Sequence, residues 1–299
     1  MKFLVFGSFN IDKVYLMQKL PEKGETLTCE KYEIHVGGKG LNQAVSLAKA
    51  GAEVCAAGQV GKDGKFLLDF LSSSGVNTSL VKTTDTFTGH AVIEVDSDGQ
   101  NQMILFPGAN KEITSEYCDE ILENFSAGDL VLVQYETSQV EYMLEKAHEK
   151  GLLTAFNPSP FVDELKGSDY SKVDYLILNE SEGQSITGET QTKAVVNKLL
   201  EMCGGAVVLT LGGDGAVYSD KEEYTFVPAF KVNAVDTTGA GDTFTGYFLS
   251  SVLKGIKAEK ALKIAASASA IVVGKSGAAE TIPEKGEVEN FLNLKQNSI

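Results

Sequence analysis

Short apolar runs that alternate with helical segments constrain the fold of this chain more than any other sequence feature. Each run has four to six residues, mainly β-branched or large and apolar, and is closed by Gly, Asn or Gln. Runs of this length and composition are typical of buried strands. The predicted strands cover residues 3–7, 54–58, 130–134, 152–157, 175–178 and 206–211.

Helical periodicity fills much of the chain between and after these strands. We predict helices over residues 40–50, 65–74, 139–150, 192–203, 239–254 and 258–273. Continuous apolar strands separated by helices indicate a mainly parallel sheet that is covered on both faces. The sequence therefore predicts an α/β fold in which residues 1–299 form one main domain.

Two segments depart from this alternation of apolar strands and helices, because apolar and polar residues alternate along residues 25–36 and 90–106. The pair Asp98-Gly99 within the second segment predicts a hairpin turn. Alternating strands expect one solvated face. We therefore predict a small separate sheet, a lid drawn from segments near 13–36 and 88–107. An antiparallel extension of the main sheet is the alternative.

Composition excludes several classes of function. The net charge of −15 and the lack of any Lys/Arg run disfavour nucleic-acid binding. The cysteines, at positions 29, 55, 118 and 203, are too widely spaced for a C-x-x-C pair or a zinc cluster, and free thiols suggest a reducing compartment. No apolar stretch reaches the about 18 residues that a membrane span needs, and the N-terminal run reads as a buried strand rather than a signal peptide. We expect a soluble, cytoplasmic protein.

Glycine-rich loops at residues 37–42, 212–215, 236–242 and 274–277 are candidates for phosphate binding. None is a Walker A loop, because Lys39 is followed by Gly40 rather than by Ser or Thr. None completes the pattern G-x-G-x-x-G, because Phe244 stands where the third glycine after Gly239 would be. A P-loop NTPase and an NAD enzyme are therefore disfavoured.

The loop at 236–242 is the most informative of these. Gly239, Ala240 and Gly241 directly precede a predicted helix, so their small side chains leave successive amides open at its positive end. Such a group of donors forms an anion hole suited to a transferring phosphoryl group. Asp242 at its edge is a candidate general base. The alternative is that Asp242 only caps the helix.

Polar residues elsewhere suit a ligand with several hydroxyl groups. Asn10 and Asp12 follow the first predicted strand, and Glu136 follows the strand that ends at residue 134. Ligands usually bind at the carboxyl ends of parallel strands. Lys39 and Asn42 lie on one turn at the start of a predicted helix. Each could instead be an exposed loop residue.

Together these motifs resemble the ribokinase branch of the PfkB carbohydrate kinase family over nearly the whole chain. Two long segments resemble the family's two signatures, Gly37-Gly-Lys-Gly-Leu-Asn-Gln-Ala-Val45 and Asp236-Thr-Thr-Gly-Ala-Gly-Asp-Thr-Phe244. Three shorter motifs follow in the expected order, Asn157-Pro-Ser-Pro160, Asn179-Glu-Ser-Glu182 and Thr210-Leu-Gly-Gly-Asp-Gly215. The resemblance implies a ribokinase-like, Rossmann-type three-layer domain with a β-sheet lid that covers the sugar and makes a homodimer contact.

The resemblance also implies roles for individual residues. Sugar would be held by Asn10, Asp12, Gly38, Lys39, Asn42, Glu136 and Asp242. The nucleotide would be held by Asn179, Thr210, Gly212, Gly215 and Gly241. Glu182 matches the family glutamate that organises Mg²⁺ through water. A monovalent cation, K⁺, would be bound by Asp236, Thr238, Val272, Lys275, Gly277 and Thr281, several of them through backbone carbonyls.

The activity implied is ATP-dependent phosphorylation of the 5-hydroxyl of D-ribose. Asp242 would act as the base, while Gly239, Ala240 and Gly241 with Mg²⁺ would stabilise the transferring phosphoryl group. Leu41 stands inside the first signature, where relatives more often have Ala. A kinase for another sugar or a nucleoside, and a sugar-binding protein without catalysis, are the alternatives.

Overall fold

The computed structural model of the chain describes residues 1–296. The strands, in chain order, are β1 Phe3–Phe6, β2 Asn10–Leu16, β3 Lys31–Gly37, β4 Val54–Gly61, β5 Asn77–Thr84, β6 Gly89–Val95, β7 Asn101–Phe106, β8 Leu130–Gln134, β9 Leu153–Asn157, β10 Tyr175–Asn179, β11 Ala206–Thr210, β12 Gly215–Ser219 and β13 Tyr224–Pro228. The helices are α1 Lys39–Lys49, α2 Lys65–Ser73, α3 Ser115–Leu122, α4 Val140–Glu149, α5 Glu180–Thr187, α6 Thr192–Met202, α7 Ala240–Val252, α8 Ala258–Val273 and α9 Lys285–Gln296.

Nine strands form the main sheet, in the order β13-β12-β11-β10-β9-β8-β1-β4-β5. Its strands pair in parallel except at one edge, where β12 and β13 run antiparallel to their neighbours. Every predicted strand is present, and only β4 departs from its predicted bounds by more than one residue, because it continues to Gly61. The predicted α/β fold class is confirmed. We did not predict β5, whose residues are all half-buried or exposed because it lies at the sheet edge.

Helices cover both faces of this sheet. Successive residues of a strand point to opposite faces. In β1, accordingly, Phe3 and Val5 pack into an apolar cluster with α1, α7 and α8. Leu4 and Phe6 pack into a second cluster with α3, α4 and α6. The main body therefore has three layers.

Helices α1 and α7 pack closely because small residues lie between them. A Cβ atom at Gly246 would lie 2.3 Å from Ser46 Oγ, so only glycine fits there. Ser46 Oγ in turn donates a 2.8 Å hydrogen bond to the Thr243 carbonyl. This contact brings the start of α1 against the start of α7, where the signature residues lie.

Four strands form a second, separate sheet in the order β3-β2-β6-β7. Strand β2 pairs antiparallel with β3 and parallel with β6, and β6 pairs antiparallel with β7. The predicted hairpin between β6 and β7 is present, with Gly99 in a left-handed conformation. The small sheet is therefore not an extension of the main sheet. The expectation of a strand from residue 25 is wrong for residues 25–30, because pairing with β2 begins at Lys31.

Leu41, the departure inside the first signature, is fully buried in the apolar cluster on the α1 face. Its side chain is therefore part of the core and does not line the cleft among the described residues. Among residues 1–296, no helix is both long and apolar enough to cross a membrane.

Candidate active site

The carboxyl ends of β9, β10 and β11 and the first turn of α7 surround a cleft of about 230 Å³. Parallel strands end at one edge of a sheet, which is where open α/β folds bind ligands. The lining residues are Lys39, Asn157, Ser159, Ile177, Leu178, Asn179, Glu182, Thr210, Thr237, Gly239, Gly241, Asp242 and Thr245. Residues from both predicted signatures therefore meet in one cleft.

The first turn of α7 presents backbone donors to this cleft. Gly239 precedes the helix in a left-handed conformation, with φ of 73°. In the described chain, the amides of Gly239 and Gly241 make no hydrogen bond, whereas the Ala240 amide donates to the Thr237 carbonyl at 3.2 Å. Of the three amides predicted to be open, those of Gly239 and Gly241 are open in this structure and that of Ala240 is not. Space beside Gly241 is open, since a Cβ atom there would meet nothing within 4 Å.

Asp242 is buried, and only 6% of its surface is exposed. Its Oδ2 accepts a 2.9 Å hydrogen bond from Asn42 Nδ2. Its Oδ1 accepts a 2.8 Å hydrogen bond from Gln43 Nε2. Both donors belong to α1, so the hydrogen bonds of this carboxylate hold two helices together rather than cap α7. The helix-cap alternative is not what the geometry favours.

Lys39 lies among carboxylates at the start of α1. Burial alone would lower the pKa of its ammonium group. Three carboxylates around it, those of Asp242, Glu136 and Glu182, outweigh burial and raise that pKa. Lys39 is therefore a fixed positive charge in the cleft, suited to an anionic ligand.

Glu136 also serves the start of α1. One of its carboxylate oxygens accepts hydrogen bonds from the Ser8 hydroxyl and, at 3.1 Å, from the Lys39 amide. Burial raises the pKa of Glu136, and the positive charge of Lys39 opposes that rise. Its second oxygen has no hydrogen-bond partner among residues 1–296. Glu136 thus supports the signature helix and retains one free acceptor oxygen.

Asn10 and Asp12 lie on β2 of the small sheet, directly after β1, rather than in a loop of the main sheet. Asn10 Oδ1 accepts a 2.8 Å hydrogen bond from Asn110 Nδ2. Asp12 is opposite His35 on β3, and a Cβ atom on neighbouring Gly37 would lie 2.3 Å from its carboxylate.

Burial raises the pKa of Asp12 to about 7, with further increases from the negative charges of Glu136 and Glu280. His35 acts in the opposite direction. The negative charge of Glu136, on the main body, therefore acts on Asp12 of the small sheet.

The predicted nucleotide side is organised by a capping box at the start of α5. Asn179 Oδ1 accepts from the Glu182 amide at 2.9 Å, and Glu182 Oε2 accepts from the Asn179 amide at 2.9 Å. Both residues line the cleft together with Thr210. Such reciprocal bonds fix the start of a helix. The cap leaves one oxygen of Glu182 for other partners.

Gly212 and Gly215 do not belong to the cleft lining among the residues that the structure describes. A Cβ atom at Gly215 would lie 2.1 Å from the Val227 carbonyl oxygen, and φ is 133° there. This glycine is therefore required by the contact between β12 and β13. The structure gives Gly215 a folding role and does not test its predicted contact with a nucleotide.

The residues predicted to hold a monovalent cation come together beside α7. Asp236 Oδ1 accepts from the amide and hydroxyl of Thr238, at 2.9 and 2.6 Å. Its Oδ2 accepts from the Gly277 amide at 3.1 Å, and the Thr281 hydroxyl donates to the Gly277 carbonyl.

Burial would raise the pKa of Asp236, but these hydrogen bonds outweigh it and lower that pKa. Val272 and Lys275 close the end of α8 through a 2.8 Å bond from the Lys275 amide to the Val272 carbonyl. The segments 236–238 and 272–281 thus form one loop cluster, in which Asp236 stays ionised.

Sequence reasoning missed three polar side chains that organise the site. Gln43 donates to Asp242, Asn157 accepts from Gln43, and Asn110 supports Asn10. Asn157 follows the apolar run of β9, the same placement that singled out Glu136. Gln43 stood inside the first signature, but nothing local distinguished it from a surface glutamine.

Comparison with known proteins identifies relatives over the full chain. The model of the pfkB family carbohydrate kinase matches residues 1–285. Ribokinase from Schizosaccharomyces pombe is 36% identical, with 99% of both chains covered. Deoxyribokinase from Salmonella typhi is 32% identical, with 99% of this chain and 100% of the relative covered.

Solved structures give the same result. Ribokinase from Thermotoga maritima superposes with a TM-score of 0.88 at 34% identity, covering 98% of this chain and 99% of that one. Arabidopsis thaliana ribokinase complexed with ribose and ATP superposes with a TM-score of 0.86 at 28% identity, covering 97% and 98%.

Proposed function

The chain belongs to the pfkB family of carbohydrate kinases, and from this membership and the geometry of the cleft we propose that it transfers the γ-phosphoryl group of ATP to the 5-hydroxyl of D-ribose. One observation carries the proposal. A buried carboxylate, Asp242, lies at the start of α7 beside the free amides of Gly239 and Gly241, within reach of the α1 side chains.

The chemistry follows from these positions. Asp242 accepts the proton of the sugar hydroxyl while the hydroxyl oxygen forms a bond to the γ-phosphorus. The bond between the γ-phosphorus and the ADP oxygen breaks, and ADP leaves. The amides of Gly239 and Gly241 stabilise the negative charge on the phosphoryl oxygens. Lys39 adds a positive charge on the same side of the cleft. The polar set for the sugar is Asn10, Asp12, Gly38, Lys39, Asn42 and Glu136, supplied by β2, α1 and the end of β8.

The donor set fits a magnesium ion that arrives with the nucleotide. Among residues 1–296 no cluster of three or more Asp, Glu, His or Cys side chains could form a closed metal cage. Mg²⁺ usually keeps several waters and takes only one or two protein carboxylates besides substrate phosphates. Glu182, buried and in the cleft lining, would hold it through water. Bound Mg²⁺ would neutralise charge that develops on the phosphates.

The loop cluster around Asp236 fits a monovalent cation such as K⁺. It combines the Asp236 carboxylate with the Gly277 carbonyl and the hydroxyls of Thr238 and Thr281. The carbonyls of Val272 and Lys275, at the nearby end of α8, would complete the set. Oxygen-rich donor sets of this kind suit hard cations. The cluster adjoins α7, so an ordered cation there would support the helix start that holds the two free amides.

The small sheet supplies a surface for homodimer formation. Apolar side chains of β3 and β7 are exposed, and among them are Tyr32, Ile34, Met103, Ile104, Leu105 and Phe106. Contiguous apolar patches on a protein surface mark interaction sites. We therefore propose a homodimer through the lid. The measurement is the mass in solution by light scattering, where a monomer for the unaltered chain, or a dimer that survives Ile104→Glu, would contradict the proposal.

We propose a cytoplasmic location on the ground that Cys29, Cys55, Cys118 and Cys203 are all free thiols.

The test of the function is ADP release with ATP and Mg²⁺ across a panel of sugars. D-ribose is expected to give the highest kcat/KM, followed by 2-deoxy-D-ribose, with hexoses and nucleosides at least about 10-fold lower. ³¹P NMR of the product should place the phosphate on the 5-oxygen. A preference for a nucleoside or hexose would replace ribose by that substrate, and no turnover with any of them would favour a binding protein without catalysis.

A further inference from the structure

We propose that Gln43 is a positioning residue for phosphoryl transfer, which fixes the orientation of the Asp242 carboxylate by tying it to the strand ends of the main sheet. The inference rests on the proposed function, in which Asp242 is the base. Gln43 does not line the cleft among the described residues and is completely buried, so it acts through Asp242 and not on a ligand.

Every polar atom of the Gln43 side chain has a partner. Nε2 donates to Asp242 Oδ1 at 2.8 Å and to Asn157 Oδ1 at 3.0 Å, which uses both of its hydrogens. Oε1 accepts from Gln134 Nε2 at 2.7 Å. The Asp242 carboxylate and the Asn157 carbonyl oxygen are both acceptors, so the group between them must be the NH₂ of Gln43. The Gln43 amide therefore has one possible orientation.

The partners of Gln43 are themselves anchored in the sheet. Gln134 is the last residue of β8, and Asn157 is the last residue of β9. Asn157 Nδ2 donates to the Ile177 carbonyl of β10 at 2.8 Å. The relay therefore connects the carboxylate on α7 to three neighbouring strands through a single side chain of α1.

This arrangement divides the two oxygens of Asp242 between different neighbours. Asn42 holds Oδ2 and belongs to the proposed sugar-binding set, so its contacts change when sugar binds. Gln43 holds Oδ1 and has no free hydrogen-bonding atom left to give to a ligand. Gln43 is thus the constant support of the base. A catalytic group must be held within about 0.5 Å of its productive position, which gives this support a direct effect on rate.

A purely structural role for Gln43 makes a different prediction. Loss of a buried, fully bonded amide costs stability wherever it lies in the core. If that were its only effect, kcat would fall no further than in any variant of equal stability. Tyr247 offers the matched control, because it is also buried on the α1–α7 face and its hydroxyl donates a 2.6 Å hydrogen bond to the Pro283 carbonyl, away from the cleft.

The experiment compares Gln43→Met with Tyr247→Phe and the unaltered enzyme. We expect Gln43→Met to lower kcat about 10- to 100-fold while KM for the sugar and ATP stays within about 3-fold, because the substrates' own contacts remain. Tyr247→Phe should keep kcat within about 2-fold at a comparable loss of Tm. Gln43→Met with a kcat close to that of Tyr247→Phe would overturn the inference.

Gln43→Glu provides a second variant if Gln43→Met does not fold. It keeps the acceptor for Gln134 but places a carboxyl group against Asp242, so a loss of kcat at least as large is expected. Failure of the proposed function is distinguishable, because it would be seen as absent turnover in the unaltered enzyme. In that case a crystal structure of either variant still decides: an Asp242 carboxylate that keeps its position without Gln43 would refute the positioning role.

Discussion

Asn42 donates a 2.9 Å hydrogen bond to Asp242, although 200 positions separate the two residues. Within residues 1–296, the carbonyl oxygen of the same Asn42 side chain is buried and has no hydrogen-bond partner. A buried acceptor without a partner costs about 1–3 kcal/mol, so its retention calls for an explanation. A sugar hydroxyl beside Asp242 would supply the missing donor. The Asn42 side chain would then contact both the proposed base and the sugar.

Asp242→Asn should abolish most of the catalysis. The substitution preserves shape and can still be held from α1, but an amide cannot take the proton of the attacking hydroxyl. General-base catalysis is worth about 10²–10⁴-fold in rate, so we expect kcat to fall by at least that much in the ADP-release assay. Sugar binding by calorimetry and the thermal unfolding curve serve as controls. A kcat near normal in the folded variant would exclude Asp242 as the base.

Gly241→Ala should separate activity from stability. A Cβ atom at Gly241 has open space around it, so the fold accepts it and Tm is unchanged or slightly higher. The methyl group would project into the space that the anion hole offers to phosphate. We expect kcat/KM for ATP to fall at least about 10-fold, because the amide donor remains but the methyl group would keep the phosphate away from it, and one lost contact in such a hole costs about 10²–10³.

Gly239→Ala is the contrasting variant. Gly239 has φ of 73°, and its Cβ would lie 3.2 Å from the Ala278 side chain. A left-handed conformation costs a non-glycine residue about 1–2 kcal/mol, so Tm should drop. An equal loss of Tm in Gly241→Ala and Gly239→Ala would contradict the finding that a Cβ atom at Gly241 meets no neighbouring atom.

Asp12→Asn should change the pH dependence of stability in the absence of sugar. Folding raises the pKa of Asp12 from 3.8 to about 7, mainly through burial and then through Glu136 and Glu280, with His35 opposing. The folded state thus favours the protonated form, and this contribution is fully present below pH 3.8 and lost as pH rises through 7. An amide stays neutral throughout.

The Tm of Asp12→Asn relative to the unaltered protein should therefore increase between about pH 4 and pH 8. A change of about 1–2 kcal/mol in the free energy of unfolding is expected, less than the full shift implies because water reaches the partly exposed carboxyl. Parallel Tm curves for the two proteins over this range would contradict the raised pKa.

Asp236→Asn should weaken the proposed activation by K⁺. The carboxylate accepts three hydrogen bonds from Thr238 and Gly277 and supplies the negative charge of the loop cluster. Without that charge we expect the K⁺ concentration for half-maximal activity to rise about 10-fold.

Asp220→Asn is the matched control for Asp236→Asn. Asp220 also accepts hydrogen bonds from two nearby amides, those of Glu222 and Glu223, but it lies in the turn between β12 and β13. Its K⁺ response should be unchanged. Equal K⁺ responses in Asp236→Asn and the unaltered enzyme would contradict the assignment of Asp236 to the proposed cation site.

Local sequence patterns were sufficient to predict the fold class, because most of the elements follow from the residues within them. Apolar runs such as the one at Leu130–Gln134 predict their own burial, and the glycines before α7 predict an open helix start whatever surrounds them. The edge strand β5 and the bounds of β3 could not be predicted, since their pairing depends on a neighbour distant in sequence.

The contacts of the polar residues could not be predicted from local patterns, because they form only when distant segments pack together. Asp242 carries no helix cap, because α1 and α7 pack through Ser46 and Gly246 and bring Asn42 and Gln43 against its carboxylate. The hydrogen bonds that join them span about 200 residues, and no local pattern encodes that contact. Its geometry comes from how closely two helices pack, and the orientation of the Asp242 carboxylate, the proposed base, is a property of the assembled core.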